Sequence, residues 1–236
     1  MIDLMLKRTS VRNFKDKKLD IKTIEQLKQV VNASPTWKNY QDFSAIFITD
    51  QNTKNRLSVY NLNQNHIKTA PLIVVFNADL NFINLIMKNK NLEIDVNKIH
   101  NYLISFTDAV IAANNLMNAA ISLGLGTCYL GVIRTNADKV IDLLNIKGKC
   151  IPTIAVAIGY IDKPSIITPK HNKVHDEKYD ISLIRSELSR YDQEMSKFYI
   201  NNLKVDKNYS DIIAKMLTHE KADNMLELIN KYFYKK

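Results

Sequence analysis

All five glycines of this 236-residue chain lie between Gly124 and Gly159, with none in the first 123 or the last 77 residues. Glycine loses the most backbone entropy on folding, so a chain this sparing of it places it where the backbone needs it. Three fall in one phrase, Gly124-Leu125-Gly126-Thr127-Cys128-Tyr129-Leu130-Gly131, directly after a long apolar segment. The phrase reads as a helix capped at Gly124, a turn at Gly126, and a backbone that another group approaches closely. Near the N-terminus, Arg8-Thr9-Ser10-Val11-Arg12-Asn13-Phe14 gathers the cations and hydroxyls that an anionic ligand requires. Together the two clusters point to a bound phosphorylated cofactor.

The length suits one large domain with a substantial core. Asp20 precedes Ile21, Ile24, Leu27, Val30 and Val31, a helical stripe with Asp20 as its N-cap. It stops near Ser34-Pro35, because proline disfavours helix in the residue before it. Phe43–Thr49 is a strand ended by Asp50-Gln51-Asn52, and Leu72–Phe76 is apolar throughout, as in a strand buried on both faces. From about Asn101 to Leu123 apolar and small residues occupy nearly every helical face, which predicts a central helix or one packed on its equivalent in a dimer. Thr135-Asn136-Ala137-Asp138 opens a further helix through Leu144 with a Thr-x-x-Asp capping pattern. Pro152–Tyr160 is a third buried strand, Ile161–Lys173 a loop, and Ile181–Lys236 a polar helical extension. The expected domain plan is 1–180 as core and 181–236 as a helical C-terminal extension of the same domain.

Strands alternating with helices predict an α+β or α/β fold. The glycine phrase is not a dinucleotide fingerprint: Gly124, Gly126 and Gly131 are spaced two and five, and they follow a helix rather than a strand.

Composition excludes several classes. The apolar fraction of 46% and charged fraction of 24% are ordinary for a folded soluble chain. No run approaches the ~18 apolar residues of a membrane span. No basic region followed by an apolar core marks the N-terminus, so no signal peptide is expected. The net charge of +9 comes from scattered lysines, without an arginine-dense or aromatic-interleaved stripe, which argues against a nucleic-acid partner. Cys128 and Cys150 form no disulfide framework, so a reducing, cytoplasmic setting is expected, with Cys128 a packing residue. His66, His100, His171, His175 and His219 have no metal-ligand spacing.

Four motifs in order carry a resemblance: Arg8–Phe14, Ser34-Pro35-Thr36-Trp37-Lys38-Asn39-Tyr40-Gln41, Gly124–Gly131, and Pro152 through Gly159-Tyr160. Over nearly the whole chain they resemble the nitroreductase and flavin reductase superfamily of FMN-dependent homodimers. Gly131–Asn136, Gln64-Asn65-His66 and Val174–Tyr179 are similar to the oxygen-insensitive NADPH-dependent branch. The resemblance implies an α+β, three-layer fold with a central, mostly antiparallel sheet flanked by helices. It implies FMN as cofactor, NADPH as reductant with NADH possible, and nitroaromatics, quinones or free flavin as acceptors.

The same resemblance assigns residues. Arg8 and Ser10 would bind the FMN phosphate, with Thr9 helping, and Arg12 would lie at the flavin edge where reduction places negative charge. Thr36, Trp37 and Asn39 would reach the flavin from the second subunit. Gln64 would bond the pyrimidine side, Tyr129, Leu130 and Gly131 would line the ring, and Gly131 would offer its backbone N–H. Thr168 and Lys170 would add a second phosphate contact, and Lys204 and Lys207 are candidates for the NADPH 2′-phosphate. The flavin carries the chemistry, so no side chain is assigned a catalytic proton. One site serving reductant and acceptor in turn implies ping-pong turnover. A flavin reductase releasing reduced flavin, and a flavin binder without turnover, are the alternatives.

Overall fold

The computed structural model describes residues 1–92, 99–219 and 225–234, which form two compact units. One comprises Met1–Ser165 with Asp223–Lys236, and the other Ile166–Ala222.

The first unit begins with a short helix, α1 (Ile2–Leu6), none of whose residues is buried. Asp20 then starts α2 (Ile21–Asn32), its carboxylate accepting the Thr23 N–H at 2.7 Å, as the sequence predicts. The same device recurs at Asp50, which accepts the Thr53 N–H at 2.7 Å and turns the end of β1 (Phe43–Ile48) into α3 (Gln51–Tyr60). After α4 (Asn65–Thr69), β2 (Leu72–Asp79) is buried along nearly its whole length. Helix α5 (Asn81–Asn89) and the 24-residue α6 (Ile99–Ser122) follow, then β3 (Gly126–Leu130), α7 (Ala137–Leu143) and β4 (Cys150–Gly159). Helix α10 (Met225–Ile229) returns late in the chain to this unit, where Met225, Leu228 and Phe233 pack with Tyr102 and Ile151.

The strands form one sheet in the order β1-β2-β4-β3, every pair antiparallel. Because side chains alternate along a strand, β2 feeds two cores. Leu72, Val74 and Phe76 pack with Ala109, Ala112 and Leu116 of α6 and with Leu27 of α2. Ile73 and Val75 face the opposite way, onto Leu57 of α3, Ile67 of α4 and Val140 of α7. This is the expected three-layer α+β arrangement.

The structure corrects two local expectations. Gly126 is not a turn residue but the first residue of β3, a strand the glycine phrase conceals because it is only five residues long. A Cβ there would stand 2.8 Å from Ile161 Cγ1 and 2.9 Å from Val11 Cγ1, so its lack of a side chain serves close packing. At the next helix the cap is Asn136 rather than Thr135, and its side chain reaches across to the Tyr60 carbonyl at 2.7 Å instead of capping. Gly124 does end α6 as predicted: with φ at +75° it lets the Leu125 N–H reach back to the Ala120 carbonyl at 3.0 Å.

The second unit contains α8 (Ile181–Leu203) and α9 (Tyr209–His219). They are joined through Asp192, whose carboxylate accepts the Ser210 N–H at 2.8 Å and hydroxyl at 2.6 Å, and through the edge-on contact of the Tyr191 and Tyr209 rings. Among the described residues no helix is long and apolar enough to cross a membrane.

Candidate active site

The Arg8–Phe14 segment has no regular structure of its own, so its position is set by the sheet edge beside it. The Val11 N–H donates to the Thr127 carbonyl of β3 at 2.9 Å, and Phe14 bridges to Ile161. Glycines open both contacts. A Cβ on Gly126 would strike Val11, and one on Gly159 would stand 2.9 Å from Phe14 Cδ1. Val11 and Phe14 are buried, and between and before them Arg8, Thr9 and Ser10 are half-buried and Arg12 is exposed. The anchors are apolar and the residues they present are polar.

Electrostatics place the two arginines around β3. Burial raises the Cys128 thiol above its ordinary range, and Arg12, the Ser10 hydroxyl and Arg8 each pull it back. Burial likewise raises Tyr129, opposed by Arg8. Burial lowers His66 on α4, and the charge of Arg12 lowers it further. Arg12 thus lies between β3 and the start of α4, where Gln64 occupies the N-cap position and its carbonyl accepts from the Ser58 hydroxyl at 2.9 Å. Among the described residues no carboxylate lies within ion-pair distance of Arg8 or Arg12. Two uncompensated guanidinium groups at one strand edge attract an anion.

Beyond β3, Tyr129 is half-buried and donates its hydroxyl to Asn114 Oδ1 at 3.2 Å. Leu130 is buried at 2%, so its side chain belongs to the core and only its backbone is available. Gly131 is exposed at the start of a short 3-10 helix, Gly131–Arg134. The nearest atom to a Cβ on it would be Arg134 Nη2 at 3.7 Å, which brings a third guanidinium to this end of the sheet. Arg134 is held there by its bond to the Thr153 carbonyl at 2.8 Å.

The structure therefore sets the Arg8–Arg12 segment against β3, which carries Tyr129 and Leu130 and runs on into Gly131, with the Arg12 charge acting on His66 two residues after Gln64. Thr36, Trp37 and Asn39 form a separate group, anchored on α6. The Trp37 N–H donates to Asp108 Oδ2 at 2.7 Å, and the indole meets Tyr40 and His100 edge-on, with ring centroids 5.0 and 5.8 Å away. Thr36 Oγ1 accepts the Gln41 N–H at 3.1 Å. Asn39 takes a left-handed conformation, φ 58°, beside Lys38 at 48°. Thr168 and Lys170 belong to the second unit, on irregular chain before α8, the first half-buried and the second exposed.

Sequence reasoning missed the carboxylates beneath the Trp37 loop. Asp42 is fully buried and neither of its oxygens accepts a hydrogen bond from an N–H or hydroxyl, while Asp108 is 3% exposed. Burial, the neighbouring Asp108 carboxyl and then Asp79 push Asp42 up to about 7. A signal was present: among the 24 residues of α6, Asp108 is the one carrying a full charge. A lone carboxylate in an apolar helix needs a buried partner.

With this geometry in view, the comparisons are specific. Residues 5–160 match the profile of the nitroreductase family, and residues 168–235 that of the nitroreductase family C-terminal domain. An FMN reductase (NADPH) of Bacillus subtilis is 30% identical over 227 residues, covering 92% of this chain and 90% of that protein. An oxygen-insensitive NADPH nitroreductase of Salmonella typhimurium is 28% identical, covering 98% and 96%. The structure of the NfrA1 nitroreductase from B. subtilis superposes with a TM-score of 0.93 at 28% identity, covering 98% of this chain and 97% of that one. The antiparallel sheet, the arginine segment on its edge and the family match over most of the length agree, and the chain is an oxidoreductase of the nitroreductase family.

Proposed function

We propose that this protein is a cytoplasmic, homodimeric FMN oxidoreductase that uses NADPH to reduce nitroaromatic or quinone acceptors by ping-pong turnover. The observation that carries the reading is the pair of uncompensated guanidinium groups of Arg8 and Arg12, pinned to the edge of β3 with the Ser10 hydroxyl between them. A phosphorylated, electron-accepting isoalloxazine fits this donor set: two cations, hydroxyls from Thr9 and Ser10, and an exposed glycine at the strand end.

When bound, FMN would supply the two-electron redox chemistry between NADPH and the acceptor. The protein's part is to bind and orient it. Arg8, Thr9 and Ser10 would hold the phosphate. Arg12 puts a fixed positive charge where reduction accumulates negative charge, which favours the reduced form. Gln64, Tyr129 and the backbone of Leu130 and Gly131 would frame the ring, with no side chain at Gly131 to obstruct it.

Thr36, Trp37 and Asn39 complete the site from the second subunit. Unpartnered apolar residues support the dimer: Ile2, Leu4 and Leu6 on α1 and Leu103 and Ile111 on α6 are all exposed. Two buried, free cysteines suit a reducing compartment.

The relative named FMN reductase (NADPH) favours a second reading, in which free flavin is the acceptor. An anaerobic visible spectrum before and after NADPH tests the scheme. Flavin bands that bleach on mixing are expected; bands that persist with both NADPH and NADH indicate a binder without turnover. Colourless protein that takes up no added FMN overturns the reading. Steady-state rates with menadione against free FMN separate the two acceptor classes.

A further inference from the structure

The Thr36–Gln41 loop has an unusual backbone and little packing beneath it. Lys38, Asn39 and Gln41 all adopt left-handed φ angles, 48°, 58° and 55°, although none is glycine. Such residues persist only where the surroundings over-determine them. Yet a cavity of about 410 Å³, lined by Asn39, Tyr40 and Asp42 with Phe82 and Ile86, opens on one side. A groove lined by Thr36 and Trp37 with His100 and Leu103 runs on the other.

What holds this stretch is a polar row on α6. Asn115 donates to Ser34 Oγ at 3.1 Å, Asp108 accepts the Trp37 N–H at 2.7 Å, and the Ser105 hydroxyl donates to the Asp42 carbonyl. These three residues share one face of the helix. Inside the 36–41 turn, α6 is met by the Asp108 bond to the Trp37 N–H and by the edge-on contact of the Trp37 ring with His100. Asp42 lies beside Asp108, fully buried with neither carboxyl oxygen hydrogen-bonded, and burial together with the neighbouring Asp108 carboxyl pushes it up to about 7. Two buried carboxyls that meet this way are both satisfied only when they share a proton, one donating to the other.

We propose that Asp108, braced by the Asp42 carboxyl, is a positioning residue that fixes the Thr36–Asn39 loop for the flavin. The proposal rests on the reading that this loop meets FMN. With the shared proton in place, one carboxyl donates to the other and Asp108 keeps its second oxygen for the Trp37 N–H. Loss of that proton leaves two adjacent buried anions, with the Asp79 carboxylate also near, and drives the carboxyls and the loop apart. Among the described residues the other titratable groups facing this region are Cys150, near Asp79, and Tyr40, His100 and Lys38 at the Trp37 ring.

Trp37 is the one tryptophan of the chain, so its emission reports the loop directly. The test follows emission against pH and FMN dissociation in the full-length wild type and in Asp108→Ala, Asp108→Asn, Asp42→Asn and His100→Gln. Wild type is expected to show an emission step with a midpoint near 7. His100→Gln keeps the step. Asp42→Asn and Asp108→Asn abolish it, because an amide donates permanently to the remaining carboxylate. Asp108→Ala shifts emission at every pH and weakens FMN binding roughly tenfold or more, the loss of a charge-assisted bond, with a larger change in acceptor KM than in kcat.

Asp108→Ala with wild-type emission and FMN affinity overturns the proposal, as does a step that survives in Asp42→Asn. Should Asp108→Ala not fold, the two volume-preserving amide variants decide the matter by the same step. Wild-type protein that binds no FMN overturns the flavin reading instead, and the emission step still judges the contact between Asp108 and the loop.

Discussion

The Val11 N–H donates to the Thr127 carbonyl at 2.9 Å, and that bond fixes the arginine segment to the sheet. Two arginines of a segment without regular structure become a site because one apolar residue between them is pinned to a strand edge.

The pinning depends on Gly126. Its substitution by alanine puts a methyl group 2.8 Å from Ile161 and 2.9 Å from Val11, so one of the two must move. Gly126→Ala is expected to cost about 1–3 kcal/mol in thermal or denaturant unfolding, typical of overpacking, and to weaken FMN binding along with it. Gly131→Ala is the contrast, because its new methyl meets Arg134 at an ordinary 3.7 Å. Its stability should stay within about 0.5 kcal/mol of wild type, while turnover falls. Equal effects in the two variants would refute this division between packing and site.

Arg8→Gln and Arg12→Gln remove charge but retain length and hydrogen-bonding capacity. Each is expected to raise the FMN dissociation constant roughly 10- to 100-fold, the value of a charge-assisted hydrogen bond to phosphate or flavin. The salt dependence of FMN binding should flatten in both, because fewer charges remain to be screened. Fluorescence titration of FMN at two ionic strengths measures both quantities.

The cysteines should be chemically silent in the folded protein. Burial raises both thiols, and the nearby Asp79 charge raises Cys150 further, so little thiolate forms at either. A thiol reagent is expected to label neither residue until denaturant is added and then to label both. Cys128→Ala should leave turnover near wild type, and fast labelling of native protein would contradict this account.

Acid should act through the helix caps. Hydrogen bonds from Thr23 and Thr53 hold the Asp20 and Asp50 carboxyls below the ordinary carboxylate value of 3.8. A folded-state pKa below the unfolded one gives stability that is present above the unfolded value and lost as pH falls through the folded value. Asp50→Asn keeps a capping oxygen but removes the titration, so its melting temperature should fall less steeply below pH 4 than that of wild type. Parallel slopes in the two proteins would exclude Asp50 from the acid response.

Much of this was legible in the chain itself. Asp20 caps the helix that follows it, and Gly124 ends α6 because a left-handed residue is needed there: these are local decisions. The apolar runs at Leu72–Phe76 and Pro152–Gly159 had to be buried on both faces, which made the sheet and its flanking helices readable. The arginine segment and the glycine phrase were likewise visible as residue types.

What the tertiary structure decided was which of these meet. Gly126 reads locally as a turn; only the approach of Val11 and Ile161 makes it a strand residue. Asp42 and Asp108, 66 positions apart, carry no mark of each other in the sequence. Their meeting follows from α6 packing against β1 and its neighbours, and burial then raises the Asp42 carboxyl. Local backbone preference acts over a few residues and can be read in order along the chain. Burial, charge coupling and steric exclusion act through space, between residues that only the folded chain brings together.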